Sequence, residues 1–237
     1  MTTFLLVHGT WGGGWQWRQV AEQLRAKGHQ VFTPTLTGLG EREHLVTRET
    51  NLDIHVRDVA AVISWEKLND VVLVGTSYAG LVVSAVADQM PQRVAALIYL
   101  NAALPANDKS MLDTVSSDRR SAVQNLADAE GDGYRVPASL VLDTGIEDEG
   151  ARQDFLGRMS PHPLPSLLQP IHLTGRYLDV RRKAYVLATK KVSHHFRDYY
   201  DWAKRQADWT AHEIASYHYP MITAPDLTAE LLMAIAE

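Results

Sequence analysis

A serine in the first third of the chain stands where a nucleophile could be presented to a substrate. Ser77 is the third residue of the segment 75–80, GTSYAG, which follows the apolar β-branched run 71–74 and precedes a helical pattern. A tight strand-to-helix turn strains the backbone of such a serine and exposes its hydroxyl, provided that small residues flank it. We predict that Ser77 is a nucleophile. A simpler interpretation stays open, because Ala79 replaces the second glycine of the Gly-x-Ser-x-Gly pattern and the serine could be a helix N-cap.

A histidine close to the end of the sequence could serve this serine as a base. His218 lies between a strand-like run at 209–215 and a helical pattern at 225–236. A general base must take the proton of the Ser77 hydroxyl and return it to the leaving group, and histidine titrates near neutral pH. The alternative is that His218 is a polar surface residue in a loop.

A glycine-rich loop near the start of the chain offers backbone donors. The segment 8–15, HGTWGGGW, follows the apolar run 4–7. Such a loop brings N–H groups close to a ligand. We discount a phosphate loop, because the segment has neither Gly-Lys-Ser/Thr nor Gly-x-Gly-x-x-Gly.

Alternating strands and helices position these three features. The pattern predicts strands at 3–8, 30–34, 70–76, 94–101, 183–189 and 209–215, and helices at 15–27, 53–66, 79–90, 195–206 and 225–236. Parallel strands need crossover helices, so the pattern predicts an α/β fold, a mostly parallel sheet with helices on both faces. The serine, the loop and the histidine then follow the C-terminal ends of strands, where open α/β sheets carry their sites.

These features together resemble the α/β-hydrolase superfamily. Within it, the chain is most similar to the small-esterase branch that includes plant methyl-salicylate esterases and hydroxynitrile lyases. The resemblance covers nearly the whole chain and rests on the glycine-rich loop, the strand-to-helix turn at 75–80, His218 with Met221, and the segments 34–45 and 99–105. It implies an inserted helical cap. It also implies that the backbone N–H groups of Thr10 and Tyr78 stabilise an oxyanion.

The acid of the expected catalytic triad is missing from its usual place. This branch usually carries it just after the strand that here spans 184–189, but the following residues, 190–195, read KKVSHH. Other α/β-hydrolases place the acid at a position that aligns with Asn101. We predict either that the Asn101 carbonyl accepts a hydrogen bond from His218 in a weakened triad, or that Asp108 folds back to supply the charge.

Two further departures bear on the reaction. Hydroxynitrile lyases of this branch have a threonine at the position of Gly9 and a lysine at that of Tyr219. Without the lysine charge, cyanohydrin cleavage by their mechanism is disfavoured. The resemblance favours hydrolysis of a small or medium apolar carboxylic ester through an acyl-enzyme, without a cofactor. A cofactor-free lyase, isomerase or oxygenase on the same fold, and a non-catalytic small-molecule receptor, stay open.

The stretch 105–178 interrupts the alternation and is expected to be the cap, inserted into a core made of 1–104 and 179–237. Helical patterns at about 109–128 and 148–159 precede a segment broken by prolines. A cap covers the site and excludes water. We predict that the substrate contacts apolar residues of the cap and of the loops beneath it, namely Trp11, Tyr219, Met111, Phe155 and Met159, with Leu112, Leu167 and Leu168 as further candidates. The alternative is that most of these pack inside the cap.

Length and composition restrict the other functions. The 237 residues can bury one core, and a net charge of −5 argues against nucleic acid as a partner. The absence of cysteine excludes thiol catalysis, and no His-Glu-x-x-His spacing predicts a metal site. The apolar run 4–7 is too short for a signal or a membrane span. We expect a cytoplasmic enzyme that acts on a small molecule, with monomer and homodimer both open.

Overall fold

A parallel sheet forms the centre of the protein. The computed structural model describes residues 1–141 and 144–237, and in this part of the chain six strands lie in the order β2-β1-β3-β4-β7-β8. These strands are β1 (Thr3–Val7), β2 (Gln30–Phe32), β3 (Val71–Ser77), β4 (Val94–Ala102), β7 (Arg182–Ala188) and β8 (Trp209–Ile214). Each neighbouring pair is parallel. The predicted α/β architecture is confirmed.

Helices cover both faces of this sheet because the strand residues alternate between two apolar layers. Leu5 and Val7 face one layer, whereas Phe4 and Leu6 face the other. Helices α2 (Leu52–Trp65), α3 (Ala79–Gln89) and α7 (His194–Lys204) pack on the first layer. Helices α1 (Arg18–Ala26) and α9 (Pro225–Ala236) pack on the second, and the short α8 (Pro220–Thr223) leads into α9.

Between β4 and β7 the chain leaves the sheet and builds a separate layer. This layer contains α4 (Ser117–Glu130), β5 (Arg135–Val136), α5 (Glu149–Gly157), β6 (His162–Pro163) and α6 (Leu164–Leu168). Strands β5 and β6 form an antiparallel pair that the sequence analysis did not anticipate. We call the segment 105–178 the cap.

The first cap helix begins later than predicted. The helical pattern starts at about residue 109, but α4 begins at Ser117, because two serines divide the segment. Ser110 caps a single 3-10 turn, and Ser116 accepts a hydrogen bond from the N–H of Arg119 at 3.3 Å and so caps α4. Serine competes with the helical backbone for its own hydrogen bonds, which favours such breaks.

Within residues 1–141 and 144–237, no helix is long and apolar enough to cross a membrane. The same residues contain no group of three or more His, Cys, Asp or Glu side chains that could hold a metal ion.

Candidate active site

Ser77 ends β3 on a strained turn that leads directly into α3. Its φ angle is +52°, a left-handed conformation that costs an L-residue free energy and is tolerated where function requires it. Glycines make the turn possible. A Cβ at Gly75 would lie 2.7 Å from the Ala79 carbonyl oxygen, and one at Gly80 would overlap the Ala103 carbonyl oxygen. The backbone therefore has the form of a nucleophile elbow.

Gly9 has a comparable role beneath the serine. A Cβ at this position would lie 2.8 Å from the Cβ of Ser77 and 3.5 Å from its Oγ. A side chain here would press on the serine. The glycine of the first loop therefore leaves room for the hydroxyl group at the end of β3.

His218 lies in the loop that follows β8 and is held by two rings and one amide. Its ring stacks on Phe196 with centroids 5.1 Å apart, and it contacts the Tyr219 ring edge-on at 5.0 Å. Its Nδ1 lies 2.8 Å from Nδ2 of Asn101. Burial lowers the pKa of His218 from 6.5 to about 4. The imidazole is therefore neutral at physiological pH, as a general base must be.

Asn101 contacts His218 with the opposite polarity from the one expected. The sequence predicts that its carbonyl accepts a hydrogen bond from the histidine. In the structure Oδ1 accepts the backbone N–H of Ala188 at 3.2 Å, so the amide nitrogen faces the ring. Turning the amide over would place its N–H groups against the Ala188 N–H. The Ala188 donor thus determines the orientation of the amide.

This polarity determines the tautomer of His218. An amide nitrogen can only donate, so Nδ1 of His218 must accept, and the proton of the neutral ring is on Nε2. An aspartate at position 101 would impose the other tautomer, with a proton on Nδ1 and a free lone pair on Nε2. A free Nε2 lone pair is what a base needs to take the proton of a serine. The resting histidine is therefore in the less suitable tautomer.

Asp108 does not supply the missing charge. Its carboxylate is exposed and lies 2.7 Å from Nδ1 of His172, at the start of the cap. Its own N–H bonds to the carbonyl of Ile171 at 2.8 Å, which holds this turn away from His218. The structure brings Asn101, and not Asp108, to the histidine.

Cap residues hold the glycine-rich loop at Trp11, the residue after Thr10. Trp11 has a φ of +60°, and its N–H lies 3.4 Å from Nδ1 of His162 in β6. Its indole N–H donates to the Val136 carbonyl at 2.8 Å, and its carbonyl accepts the Ser160 N–H at 3.1 Å. The cap thus fixes the loop that carries Thr10, the first expected oxyanion donor.

The second expected oxyanion donor has an equally fixed position. Tyr78 is fully buried, and its hydroxyl lies 2.9 Å from Nδ1 of His55. The other ring nitrogen of His55 lies 2.9 Å from the Thr37 carbonyl, to which it donates. The ring of Tyr78 also contacts His162 edge-on at 5.0 Å. One cluster of neutral rings therefore supports both Tyr78 and the loop that carries Thr10.

A cavity of about 370 Å³ lies between the cap and the ends of the strands. Ser77, His218 and Thr10 line it from the core side. The cap contributes mostly apolar side chains, and its helix α4 contributes Arg119. A mostly apolar cleft of this size next to a strained serine and a neutral histidine is suited to chemistry on a small molecule.

Sequence comparison agrees with this geometry. A sequence model of the Alpha/beta hydrolase family matches residues 4–231. The chain belongs to the alpha/beta hydrolase family. The predicted resemblance is confirmed.

Relatives of this hydrolase include named esterases. The carbendazim hydrolyzing esterase of Nocardioides sp. (strain SG-4G) is 33% identical over 99% of this chain and 100% of its own length. Esterase PIR7B of Oryza sativa subsp. japonica is 33% identical over 52% of this chain, which matches 47% of that protein. A solved extracellular alpha/beta-hydrolase from a Paenibacillus species superposes with a TM-score of 0.87 at 24% identity, over 100% of this chain and 99% of its own. The structural likeness establishes the fold.

The predicted substrate-binding residues of this hydrolase divide into two groups. Trp11, Met111 and Tyr219 line the cavity. Phe155 instead packs in the core between Trp15 and Tyr219, with ring centroids 5.5 Å and 5.0 Å away, and does not line the cavity. Met159 packs against both apolar layers and does not line it either. Helix α5 therefore faces the core and not the site.

The cavity lining includes two of the further candidates and several residues that the sequence did not predict. Among the further candidates, Leu112 and Leu167 line the cavity and Leu168 does not. Arg119 and Val123 also line it, one helical turn apart on α4. Their i, i+4 spacing was a usable signal, because such residues share one face of a helix. Phe196, at the start of α7, carried no comparable signal.

Acidification is expected to destabilise this hydrolase before its carboxylates titrate. Burial lowers the pKa of His8 and of His55 from 6.5 to about 4. When the pKa of a histidine is lower in the folded protein than in the unfolded chain, the unfolded chain binds protons more readily. Its contribution to stability is therefore complete above pH 6.5 and is lost as the pH falls towards 4. The loss is about 3 kcal/mol for each histidine. Urea unfolding across this pH range measures it.

An exposed histidine provides the control for this prediction. His194 lies at the surface at the start of α7. The His194→Gln variant should lose stability over the same range as the parent protein does. A free energy of unfolding that stays constant from pH 6.5 to pH 5 would contradict the prediction.

Proposed function

We propose that this protein is a cofactor-independent serine hydrolase that cleaves a small or medium apolar carboxylic ester through an acyl-enzyme. The observation that carries the proposal is the elbow, where a strained Ser77 lies on the same cavity as a neutral His218. Full-length similarity to a named esterase supports ester bonds as the target. The apolar lining of the cavity supports an apolar substrate.

Each step of the reaction has a residue to perform it. Ser77 Oγ attacks the ester carbonyl while Nε2 of His218 takes its proton. The N–H groups of Thr10 and Tyr78 stabilise the oxyanion that forms. His218 then returns the proton to the leaving alcohol, and water hydrolyses the acyl-enzyme by the same route.

The tautomer of His218 sets the cost of the first step. Before Nε2 can accept a proton, the ring proton must move from Nε2 to Nδ1. The hydrogen bond from the Asn101 amide to Nδ1 is then lost. We therefore expect a slow enzyme whose chemistry depends on a minor tautomer.

Pre-steady-state release of nitrophenol tests the proposal. On mixing with p-nitrophenyl butyrate, the enzyme should release about one equivalent of p-nitrophenol in a burst, as acyl-enzyme chemistry predicts. Mass spectrometry of the quenched protein should find a butyryl group on Ser77. Turnover without any acylated serine would exclude the acyl-enzyme. A complete absence of turnover would exclude these esters as substrates.

The polarity of the Asn101 contact favours one other candidate function. A His218 ring with its proton on Nε2 can donate a hydrogen bond or a proton into the cavity without any change of tautomer. That suits a cofactor-free lyase or isomerase, in which the serine is dispensable. The Ser77→Ala variant distinguishes the two functions, because it lowers the rate of the hydrolase reaction by about two orders of magnitude and leaves the lyase or isomerase reaction intact.

A further inference from the structure

The cavity has an uneven distribution of charge. Although the chain carries more acidic than basic residues, the described residues that line the cavity include no aspartate, glutamate or lysine. Arg119 is their one permanently charged side chain. The neighbouring positions on the lining are apolar or carry hydroxyl groups, as at Val115, Ser116 and Val123.

Arg119 has no acidic partner of its own in the described chain. Its side chain forms no hydrogen bond or ion pair with the described residues, although it is half-buried. The adjacent Arg120 behaves differently, since its guanidinium pairs with Asp113. Arginine loses conformational freedom and hydration when it is enclosed, and a partner normally offsets this cost. The unpaired Arg119 on the cavity wall is therefore available to a partner that arrives with the ligand.

The core and the cap contribute different groups to the cavity lining. Ser77 and His218 follow core strands, whereas Arg119 lies in the first turn of α4 in the cap. A ligand whose ester group is at the serine therefore shares its cavity with the arginine. Apolar side chains such as Leu112 and Val123 line the same cavity.

We infer that Arg119 selects esters that carry an anionic group, such as a carboxylate, at the end remote from the scissile bond. The guanidinium fork matches the two oxygens of a carboxylate and binds them by charge-assisted hydrogen bonds. The substrate class is then the half-ester of an apolar dicarboxylic acid or of a chemically similar anion. This inference rests on the proposed ester hydrolysis and adds the substrate class.

Paired substrates test the inference. Mono-p-nitrophenyl adipate and p-nitrophenyl hexanoate have acyl chains of the same length and differ in the terminal carboxylate. We expect the wild type to have the higher kcat/KM with the adipate half-ester. In Arg119→Met, the ratio of the two kcat/KM values should fall about tenfold, as for the loss of one charge-assisted contact. Added salt should lower the wild-type ratio as well.

Two variants control for charge and for folding. Arg120→Met removes a neighbouring charge from the same helix and should keep the wild-type ratio. Arg119→Lys should give an intermediate ratio, because lysine keeps the charge and loses the fork. An Arg119→Met ratio equal to that of the wild type, or a wild type that prefers the hexanoate, would overturn the inference.

Binding without turnover separates this inference from the proposed function. If neither ester is hydrolysed, the proposed hydrolase function fails. Titration calorimetry with monomethyl adipate then still examines Arg119 on its own. Binding by the wild type that is about tenfold weaker in Arg119→Met would support the anion site, and equal affinities would refute it.

Discussion

An aspartate in place of Asn101 is expected to raise kcat/KM for ester hydrolysis by about two to four orders of magnitude, since the reverse change in serine proteases costs about four. The carboxylate would accept the Ala188 N–H with one oxygen and the Nδ1–H of His218 with the other, in the positions that the amide now occupies. Nε2 of His218 would be left free to take the serine proton. Steady-state kinetics with a p-nitrophenyl ester measures the gain.

The pH dependence should change together with the rate. In the wild type, burial lowers the pKa of His218 to about 4, so the base is already neutral above this pH. A carboxylate beside the ring stabilises the imidazolium and raises the pKa. The acidic limb of the kcat/KM profile should therefore move to higher pH in Asn101→Asp. A change in the rate without this movement would mean that the carboxylate does not act through the histidine.

Two measurements distinguish this prediction from a general effect of the added negative charge. Asn125→Asp adds the same charge at an exposed position of α4 and should leave kcat/KM unchanged. The ¹⁵N NMR shifts of the ring should show protonated Nε2 in the wild type and protonated Nδ1 in Asn101→Asp. If Asn101→Asp folds normally and has the wild-type rate, the tautomer does not limit the reaction.

The elbow could be predicted because its sequence signals are local. A β-branched run, a glycine, a serine and a helical pattern follow one another within a few residues, and each has its own structural preference. The same holds for the sheet, whose strands alternate with helices along the sequence. Even the φ of +52° at Ser77 follows from the closeness of strand and helix around Gly75 and Gly80.

The polarity at Asn101 could not be predicted, because it depends on a residue that is distant in sequence. The Ala188 N–H belongs to β7, and it faces the amide only because β7 lies beside β4 in the sheet. The sequence shows that position 101 is an asparagine and is silent on which end of the amide meets His218. A single backbone donor therefore reverses the expected role of the residue.

The cap was the harder part to predict for a related reason. Its helices are amphipathic, but the sequence does not say whether the apolar face of a helix meets the core or the cavity. Phe155 of α5 packs on Trp15 in the core, whereas Val123 of α4 lines the cavity. The pairing of β5 with β6 was also hidden, because each strand has two residues and contains no periodic signal.

Removal of the Ser77 hydroxyl should lower kcat by different factors in the wild type and in the Asn101→Asp variant. In a complete triad, loss of the serine or of the histidine alone lowers kcat by about six orders of magnitude, and loss of the acid alone by about four. The wild type lacks the acid, so most of the contribution of the triad is already absent. Ser77→Ala should thus lower kcat by about two orders in the wild type and by about four to six in Asn101→Asp. Steady-state rates of the four proteins, corrected for uncatalysed hydrolysis, measure both values.

The difference between the two backgrounds is the decisive quantity, because it reports the coupling of Ser77 to position 101 through His218. Residues that act as a unit are strongly non-additive, whereas residues that act independently lower the rate by the same factor in either background. His218→Ala should reproduce the Ser77→Ala result in each case, and combining the two changes should add little. Equal losses of two orders in both backgrounds would mean that Ser77 works without the histidine. A wild type that keeps its full activity in Ser77→Ala would exclude the serine as nucleophile and favour a reaction in which His218 acts alone.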